Sequence, residues 1–199
     1  MKIKTIITAV LAFISATACG GSKPEKVMEK GKTLVVFFSH AGDNYAVGNI
    51  AVGNTKIVAD YISEITGADQ FEIVTHKYDG MAYTPLINLA KEEANNGELP
   101  EYEGEVDLSP YDTVFIGGPV WWGTYPQVMF TFFKNHASDL AGKTVVPFTT
   151  HEGSGLAGCV DDVKKAFPGA NVLKGFSIYG HEVRTERSKV EKWLKSIGF

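Results

Sequence analysis

Small and hydroxyl-bearing residues near the start of the chain have the types and spacing to bind an anion. The stretch 33–55 reads TLVVFFSHAGDNYAVGNIAVGNT. Its apolar run, Leu34 to Phe38, is typical of a strand buried on both faces. Unpaired N–H groups at the N-terminus of the helix that follows, together with the helix dipole, favour a phosphate without a lysine. The residues expected to approach this phosphate are Ser39, His40, Ala41, Gly42, Gly53, Asn54 and Thr55. Asp43 would repel a dianion, so we expect its side chain to point outward.

Two later loops also follow apolar runs and carry residues suited to an aromatic ligand. Tryptophan offers a large flat apolar surface, and glycine permits close approach of the backbone. His151 is the candidate for hydrogen bonding or proton delivery, and Ser154 is expected to cap the next helix. One loop contains Pro119, Val120, Trp121, Trp122 and Gly123, and the other contains Thr150, His151, Gly153, Ser154 and Gly155.

The elements that must position these loops form an alternating pattern of strands and helices. Apolar or alternating runs predict strands at 34–38, 70–75, 113–117, 144–149 and 172–179. Each is followed by a segment of helical periodicity. Thr84 followed by Pro85 predicts a capped start for the second of these helices, and a later helix is expected to bury Cys159. Such alternation implies an open parallel sheet with helices on both faces. Ligands in these sheets lie beyond the carboxyl ends of the strands, where the three loops meet.

Composition limits the classes of partner. The chain has 199 residues, which suits one α/β domain, and its formal charge is −4 with only 19 Lys and Arg. This acidic balance argues against a nucleic-acid partner. The sequence contains no Cys/His cluster with metal spacing and no G-x-S-x-G motif, so we expect no metal.

The first residues have the pattern of a secretion signal. Residues 1–18 place lysines before an apolar run and end in Ala16-Thr17-Ala18, which predicts a signal peptide. Cleavage there would leave Cys19 first. This resembles the bacterial lipoprotein signal and implies lipidation of Cys19, residues 19–31 as a tether and 32–199 as the folded domain. The usual larger aliphatic residue is replaced by Ala16, so plain secretion to the periplasm is the alternative.

The three loops resemble those of the flavodoxin family, in particular flavodoxin-like envelope proteins with an insertion in the phosphate loop. Ser39 matches the first hydroxyl of the family's FMN-phosphate loop, and Gly53-Asn54-Thr55 matches its end, with Asp43 to Val52 interposed. The resemblance leaves open whether Gly42 or Gly53 approaches the phosphate. It further implies that Trp121-Trp122-Gly123 lies against the isoalloxazine ring and that the loop containing His151 edges it, with Tyr78, Tyr83 and Tyr125 near the rim.

The resemblance also implies a fold and a function. The fold is a flavodoxin-like, open, doubly wound five-stranded parallel sheet of order 2-1-3-4-5, in a three-layer α/β/α arrangement of the short-chain type. The function is that of an FMN-binding oxidoreductase or electron carrier of the bacterial cell envelope. A redox partner protein or a membrane quinone in its reduced, quinol form would supply its electrons, and a lipid anchor would hold it at the periplasmic face. The alternative is a ligand-binding or interaction module of the same fold that has lost or replaced FMN, an alternative that the insertion favours.

Overall fold

The computed structural model describes residues 31–199, so the predicted signal peptide, Cys19 and nearly all of the tether lie outside the described residues. This part of the chain contains eight strands and five α-helices. The strands are β1 (Lys32–Phe37), β2 (Gly42–Asn44), β3 (Gly48–Ile50), β4 (Asp69–Glu72), β5 (Tyr111–Pro119), β6 (Thr144–His151), β7 (Asn171–Val172) and β8 (Phe176–Tyr179). The helices are α1 (Asn54–Thr66), α2 (Tyr83–Asn96), α3 (Gln127–Asn135), α4 (Cys159–Ala166) and α5 (Arg187–Ser196).

Six of these strands form one parallel sheet, which confirms the predicted order. The order is β4-β1-β5-β6-β7, and β8 also pairs with β6. The predicted fifth strand is therefore two short strands beside β6, separated by residues 173–175. Pro147 lies between the two pairing segments of β6, and it has no N–H to donate to a continuous ladder.

Alternate side chains of the strands supply two cores, one on each face of the sheet. On one face Leu34, Val36 and Phe38 pack with buried residues of α2, α3 and α4. On the other face Val35 and Phe37 pack with buried residues of α1 and α5. Because the side-chain period of a strand is two, a run that is apolar at every position serves both faces. Cys159, the first residue of α4, is fully buried as predicted.

Three sequence-based expectations about local structure are corrected. Helix α2 begins at Tyr83 after Ala82, without the side-chain cap expected from Thr84. Ser154 does not cap α4, because a turn intervenes and the helix begins only at Cys159. The predicted strand from residue 70 to residue 75 ends at Glu72.

The residues interposed in the first loop form a structure of their own. Strands β2 and β3 pair antiparallel and make a hairpin whose turn contains Ala46 at a φ of 62°. The hairpin comprises residues 42–52 and ends just before α1.

Over residues 31–199, none of the helices combines the length and the apolar character that crossing a membrane requires.

Candidate ligand site

The hairpin leaves the two halves of the first loop adjacent in space. A Cβ built on Gly53 would lie 2.2 Å from Ser39 Oγ and 2.7 Å from the carbonyl oxygen of His40. Only a residue without a side chain permits this approach. Ser39 Oγ also accepts a hydrogen bond of 3.0 Å from the backbone N–H of Lys56. Gly53 therefore stands at the N-terminus of α1 beside the end of β1, whereas Gly42 opens the hairpin at a φ of 99°.

The N-terminus of α1 retains donors for a ligand. Gly53 makes no side-chain cap, and the backbone N–H groups of Asn54 and Thr55 have no acceptor among residues 31–199. Beside them the hydroxyl oxygens of Thr55 and Thr150 lie 2.8 Å apart, and both side chains are buried. Free N–H groups at the positive end of a helix dipole, next to buried hydroxyls, make a site for an anion.

A cavity of about 300 Å³ opens directly over this helix end. Its volume is at the lower end of the range for small-molecule sites, roughly 300 to 1,000 Å³. Of the predicted binding residues, those that line it are His40, Asn54, Thr55, Pro119, Val120, Trp121, Trp122, Thr150, His151 and Ser154. Those that do not are Ser39, Ala41, Gly42, Gly53, Gly123, Gly153 and Gly155. Ser39 and Gly53 instead build the helix end, and the carbonyl of Gly123 accepts a bond from Gly158 N.

The hairpin forms one wall of the cavity. Asp43, Asn44, Tyr45 and Val47 all line it, and the ring centroids of Tyr45 and Tyr83 lie 5.7 Å apart across the junction with α2. The expectation that Asp43 points outward is wrong, since Asp43 lines the cavity. Its carboxylate accepts a hydrogen bond of 2.9 Å from Tyr83 N. That bond offsets its charge at the N-terminus of α2, where a carboxylate is favourable.

The two adjacent tryptophans have different surroundings. Trp121 is half-buried and makes edge-to-face contacts with the rings of Phe38, Tyr78 and His40. Trp122 is 52% exposed at the mouth of the cavity. Its indole Nε1 donates a hydrogen bond of 2.7 Å to the carbonyl of Ile87. Trp121 is therefore part of the core beneath the cavity, and Trp122 forms part of the rim of the cavity.

The end of β6 and the residues that follow it supply ionisable groups to the cavity. His151 Nδ1 accepts a bond of 2.9 Å from Gly153 N, which leaves Nε2 as the protonated nitrogen of a neutral ring. Burial lowers the pKa of His151, against the opposing effect of the Glu152 and Glu182 carboxylates. Glu152 in turn accepts from His181 N at 2.9 Å, and its second oxygen lies 2.7 Å from His181 Nδ1. His151 is thus a neutral donor in the cavity at pH 7.

The resemblance to flavodoxins predicted three tyrosines near the rim of the site, and one of the three lines the cavity. Tyr83 lines the cavity, whereas Tyr78 and Tyr125 are 1% and 0% exposed and belong to the core. The lining residues that the sequence analysis did not predict are Asp43, Asn44, Tyr45 and Val47 of the hairpin, together with Leu86, Ile87, Glu152 and Gly180. A single exposed ring such as that of Tyr45 is common on protein surfaces, so nothing in the sequence singled this residue out.

Comparison with known proteins agrees with this architecture. A family model described as flavodoxin matches residues 32–197. A structure from Bacteroides eggerthii, assigned as a flavoprotein, is 28% identical, covers 85% of this chain and 99% of its own, and has a TM-score of 0.65. A second such structure, from Bacteroides uniformis, is 28% identical, with coverages of 84% and 99% and a TM-score of 0.61.

A more distant structure has the same fold. The flavoprotein from Lactobacillus acidophilus, solved in complex with FMN, is 24% identical and has a TM-score of 0.60. The match covers 82% of this chain and 99% of that one. A search of curated proteins found no match.

Proposed function

Because this chain belongs to the flavodoxin family, we propose that it binds FMN in the cavity above α1 and transfers electrons through it. The observation that carries the proposal is the contact between the two halves of the first loop. Gly53 meets Ser39 and His40 despite the interposed hairpin, which supports the assignment of these residues to a phosphate loop. The structure from Lactobacillus acidophilus, of the same fold, was solved with FMN.

The residues present fit the two ends of this cofactor. The phosphate would be held by the N–H groups of Asn54 and Thr55 and by the buried hydroxyl pair of Thr55 and Thr150. A planar ring system would lie against Trp122 and the Tyr45–Tyr83 pair at the mouth of the cavity. Backbone and hydroxyl donors suit a phosphate ester, and aromatic faces suit a ring that must be shielded from water.

In this interpretation the chain contributes binding and orientation. FMN supplies the electron-transfer chemistry when it is bound. Nε2–H of His151 offers a hydrogen bond to the edge of the ligand that faces the end of β6. Trp121 and the core beneath it exclude water from the inner face of the cavity. The hairpin, which favoured a different ligand at the level of sequence, supports FMN here because it adds an aromatic wall and leaves the helix end open.

The test is a titration of the purified protein with FMN and with riboflavin, followed by quenching of flavin fluorescence. We expect FMN to bind at least about 10-fold more tightly, since charge-assisted hydrogen bonds to a phosphate contribute about 1.5 to 3 kcal/mol. Equal affinity for the two flavins would contradict the phosphate site. Absence of quenching by FMN would contradict the function and favour the alternative, a module of this fold with another ligand.

We further propose that the protein is a lipoprotein of the bacterial cell envelope, with a redox protein or a membrane quinol as its electron source. The support is the sequence alone: an apolar leader, Ala16-Thr17-Ala18 and then Cys19. Cells fed labelled palmitate are expected to label the natural chain and to leave Cys19→Ser unlabelled. A chain that carries no label, with or without Cys19, would contradict the anchor and favour plain secretion.

A further inference from the structure

Asn54 is the first residue of α1, and its side chain lines the cavity. Two residues of the segment that follows β8 hold this side chain. A Cβ built on Gly180 would lie 2.3 Å from Asn54 Nδ2, so the backbone packs closely on the nitrogen. Arg184 Nη1 donates a hydrogen bond of 2.9 Å to Asn54 Oδ1. The carboxamide of Asn54 is therefore held at both its nitrogen and its oxygen.

The contact with Arg184 decides which way this carboxamide faces. A guanidinium carries only donors, so the atom of the carboxamide that meets it must be the oxygen. Nδ2 then lies on the side of Gly180, which also lines the cavity, and it makes no hydrogen bond within residues 31–199. The carboxylate of Glu152, which lines the cavity nearby, already accepts from His181 N and faces His181 Nδ1. The two donors of Asn54 Nδ2 are therefore free for a ligand at the start of α1.

Arg184 makes this contact in place of a salt bridge. Its Nη2 donates to the carbonyl of Val52 at 3.0 Å, and within residues 31–199 its guanidinium has no carboxylate partner. The other arginine of the chain, Arg187, pairs with the carboxylates of Glu64 and Glu191. Because a guanidinium is planar and rigid, two bonds from one group fix its acceptors relative to each other. Arg184 thus ties the last residue of the hairpin to the first residue of α1.

We infer that Arg184 is a positioning residue of the phosphate site: it holds the carboxamide of Asn54 so that Nδ2 donates to the phosphate of FMN. This inference rests on the proposed function and extends it by one donor and by the residue that orients this donor. The backbone N–H of Asn54 is already assigned to the phosphate, and its side chain lines the same cavity. Arg184 is not among the described residues that line the cavity, so it acts through Asn54.

The inference predicts a loss that is confined to the phosphate end of the ligand. Without Arg184 the carboxamide of Asn54 can rotate, and ordering it again when FMN binds costs free energy. Riboflavin lacks the phosphate and gains nothing from this donor. The ratio of the FMN affinity to the riboflavin affinity is therefore the quantity to measure, because a change that only loosens the fold lowers both affinities alike.

The experiment is fluorescence titration with FMN and with riboflavin of the natural chain, Arg184→Ala, Asn54→Ala and the double variant. We expect Arg184→Ala to lower the ratio about 5-fold and Asn54→Ala, which loses a hydrogen bond to a charged group, about 10-fold. The double variant should match Asn54→Ala within about 2-fold, because Arg184 acts through that residue. The matched control is Arg187→Ala, which removes the same charge outside the cavity and should keep the ratio.

The outcomes separate this inference from the proposed function. Absence of FMN binding by the natural chain overturns both. An unchanged ratio in Arg184→Ala or in Asn54→Ala, or an equal fall in Arg187→Ala, overturns the role of Arg184 and leaves the cofactor assignment standing. So does a double variant that falls below Asn54→Ala by the full factor of Arg184→Ala.

Arg184→Lys replaces Arg184→Ala if the alanine variant does not fold. An ammonium keeps the positive charge but lacks the planar fork that holds two acceptors at once. The ratio should therefore fall in Arg184→Lys as well, and an unchanged ratio overturns the inference.

Discussion

Trp122 holds its indole at the mouth of the cavity in a backbone conformation that a bulky residue rarely adopts. Its φ is 53°, and the ring is fixed by the bond from Nε1 to the carbonyl of Ile87 and by Lys91 Nζ, which lies 4.8 Å from the ring centroid. Positive φ at a non-glycine residue stores roughly 1 to 3 kcal/mol and is concentrated at ligand sites. The neighbouring Trp121 is packed in the core, so replacing the two tryptophans should have different effects.

We expect Trp122→Ala to weaken FMN binding by about 10- to 100-fold, since an aromatic stack contributes about 1 to 3 kcal/mol. Its effect on the free energy of unfolding should be small, because the side chain is 52% exposed. Fluorescence titration and thermal unfolding measure the two effects. Trp193→Phe is the matched control, because Trp193 packs on Phe176 in the opposite core. Unchanged FMN affinity in Trp122→Ala would show that the ring does not stack on this indole.

The hairpin and α1 together show how an insertion can be accommodated without loss of the site. The hairpin is held at one end by the bond from Tyr83 N to Asp43. At the other end Arg184 donates to the carbonyl of Val52 at 3.0 Å and to Asn54 Oδ1 at 2.9 Å. These bonds direct the inserted residues away from the helix end. The start of α1 can therefore return to Ser39 as if the loop were continuous.

Gly53→Ala tests this packing at the level of the element. The new Cβ would lie 2.7 Å from the carbonyl oxygen of His40, and this backbone atom cannot rotate away as Ser39 Oγ can. We expect α1 to shift away from β1, with about 1 to 3 kcal/mol lost from the free energy of unfolding and FMN affinity reduced at least 10-fold.

Gly142→Ala is the matched glycine control for that change. Gly142 has a φ of 76° and open space around its Cβ position, in the loop between α3 and β6. It should lose about 1 to 2 kcal/mol of stability through backbone strain and keep its FMN affinity. Denaturant unfolding and flavin titration measure both variants. Equal FMN affinity for Gly53→Ala and the natural chain would contradict the close approach at the start of α1.

The molecule as a whole places three loops at one edge of a sheet that has a core on each face. The core beneath the cavity includes one buried carboxylate, Glu93, which accepts from Tyr78 OH at 2.8 Å and lies 2.7 Å from Nζ of the solvent-accessible Lys77. Burial, with this bond, raises the pKa of Tyr78 far above its ordinary value, so the phenol stays neutral. Tyr78 packs on Trp121, which couples the rigid core to the cavity wall.

The parallel sheet and its two-sided core follow from the sequence, because they depend on local patterns, whereas the strand order was predicted from the resemblance to flavodoxins. An apolar run such as Leu34 to Phe38 is stable only where both of its faces are covered, and that requirement selects a central parallel strand. The ends of the elements were predicted less well. Ser154 and Thr84 have the chemistry of caps, yet the turns around them are set by packing with residues elsewhere in the chain.

By itself the sequence determined the open parallel sheet with helices on both faces and the composition of the three loops at the carboxyl ends of its strands, since strand periodicity and loop composition act over short stretches. Only the tertiary structure decided that Gly53 rejoins Ser39, that Asp43 turns inward, and that Trp122 rather than Trp121 forms the rim. The physical reason is distance along the chain. The bond from Tyr83 to Asp43 spans 40 residues and the contact of Thr55 with Thr150 spans 95, and no local pattern encodes such contacts.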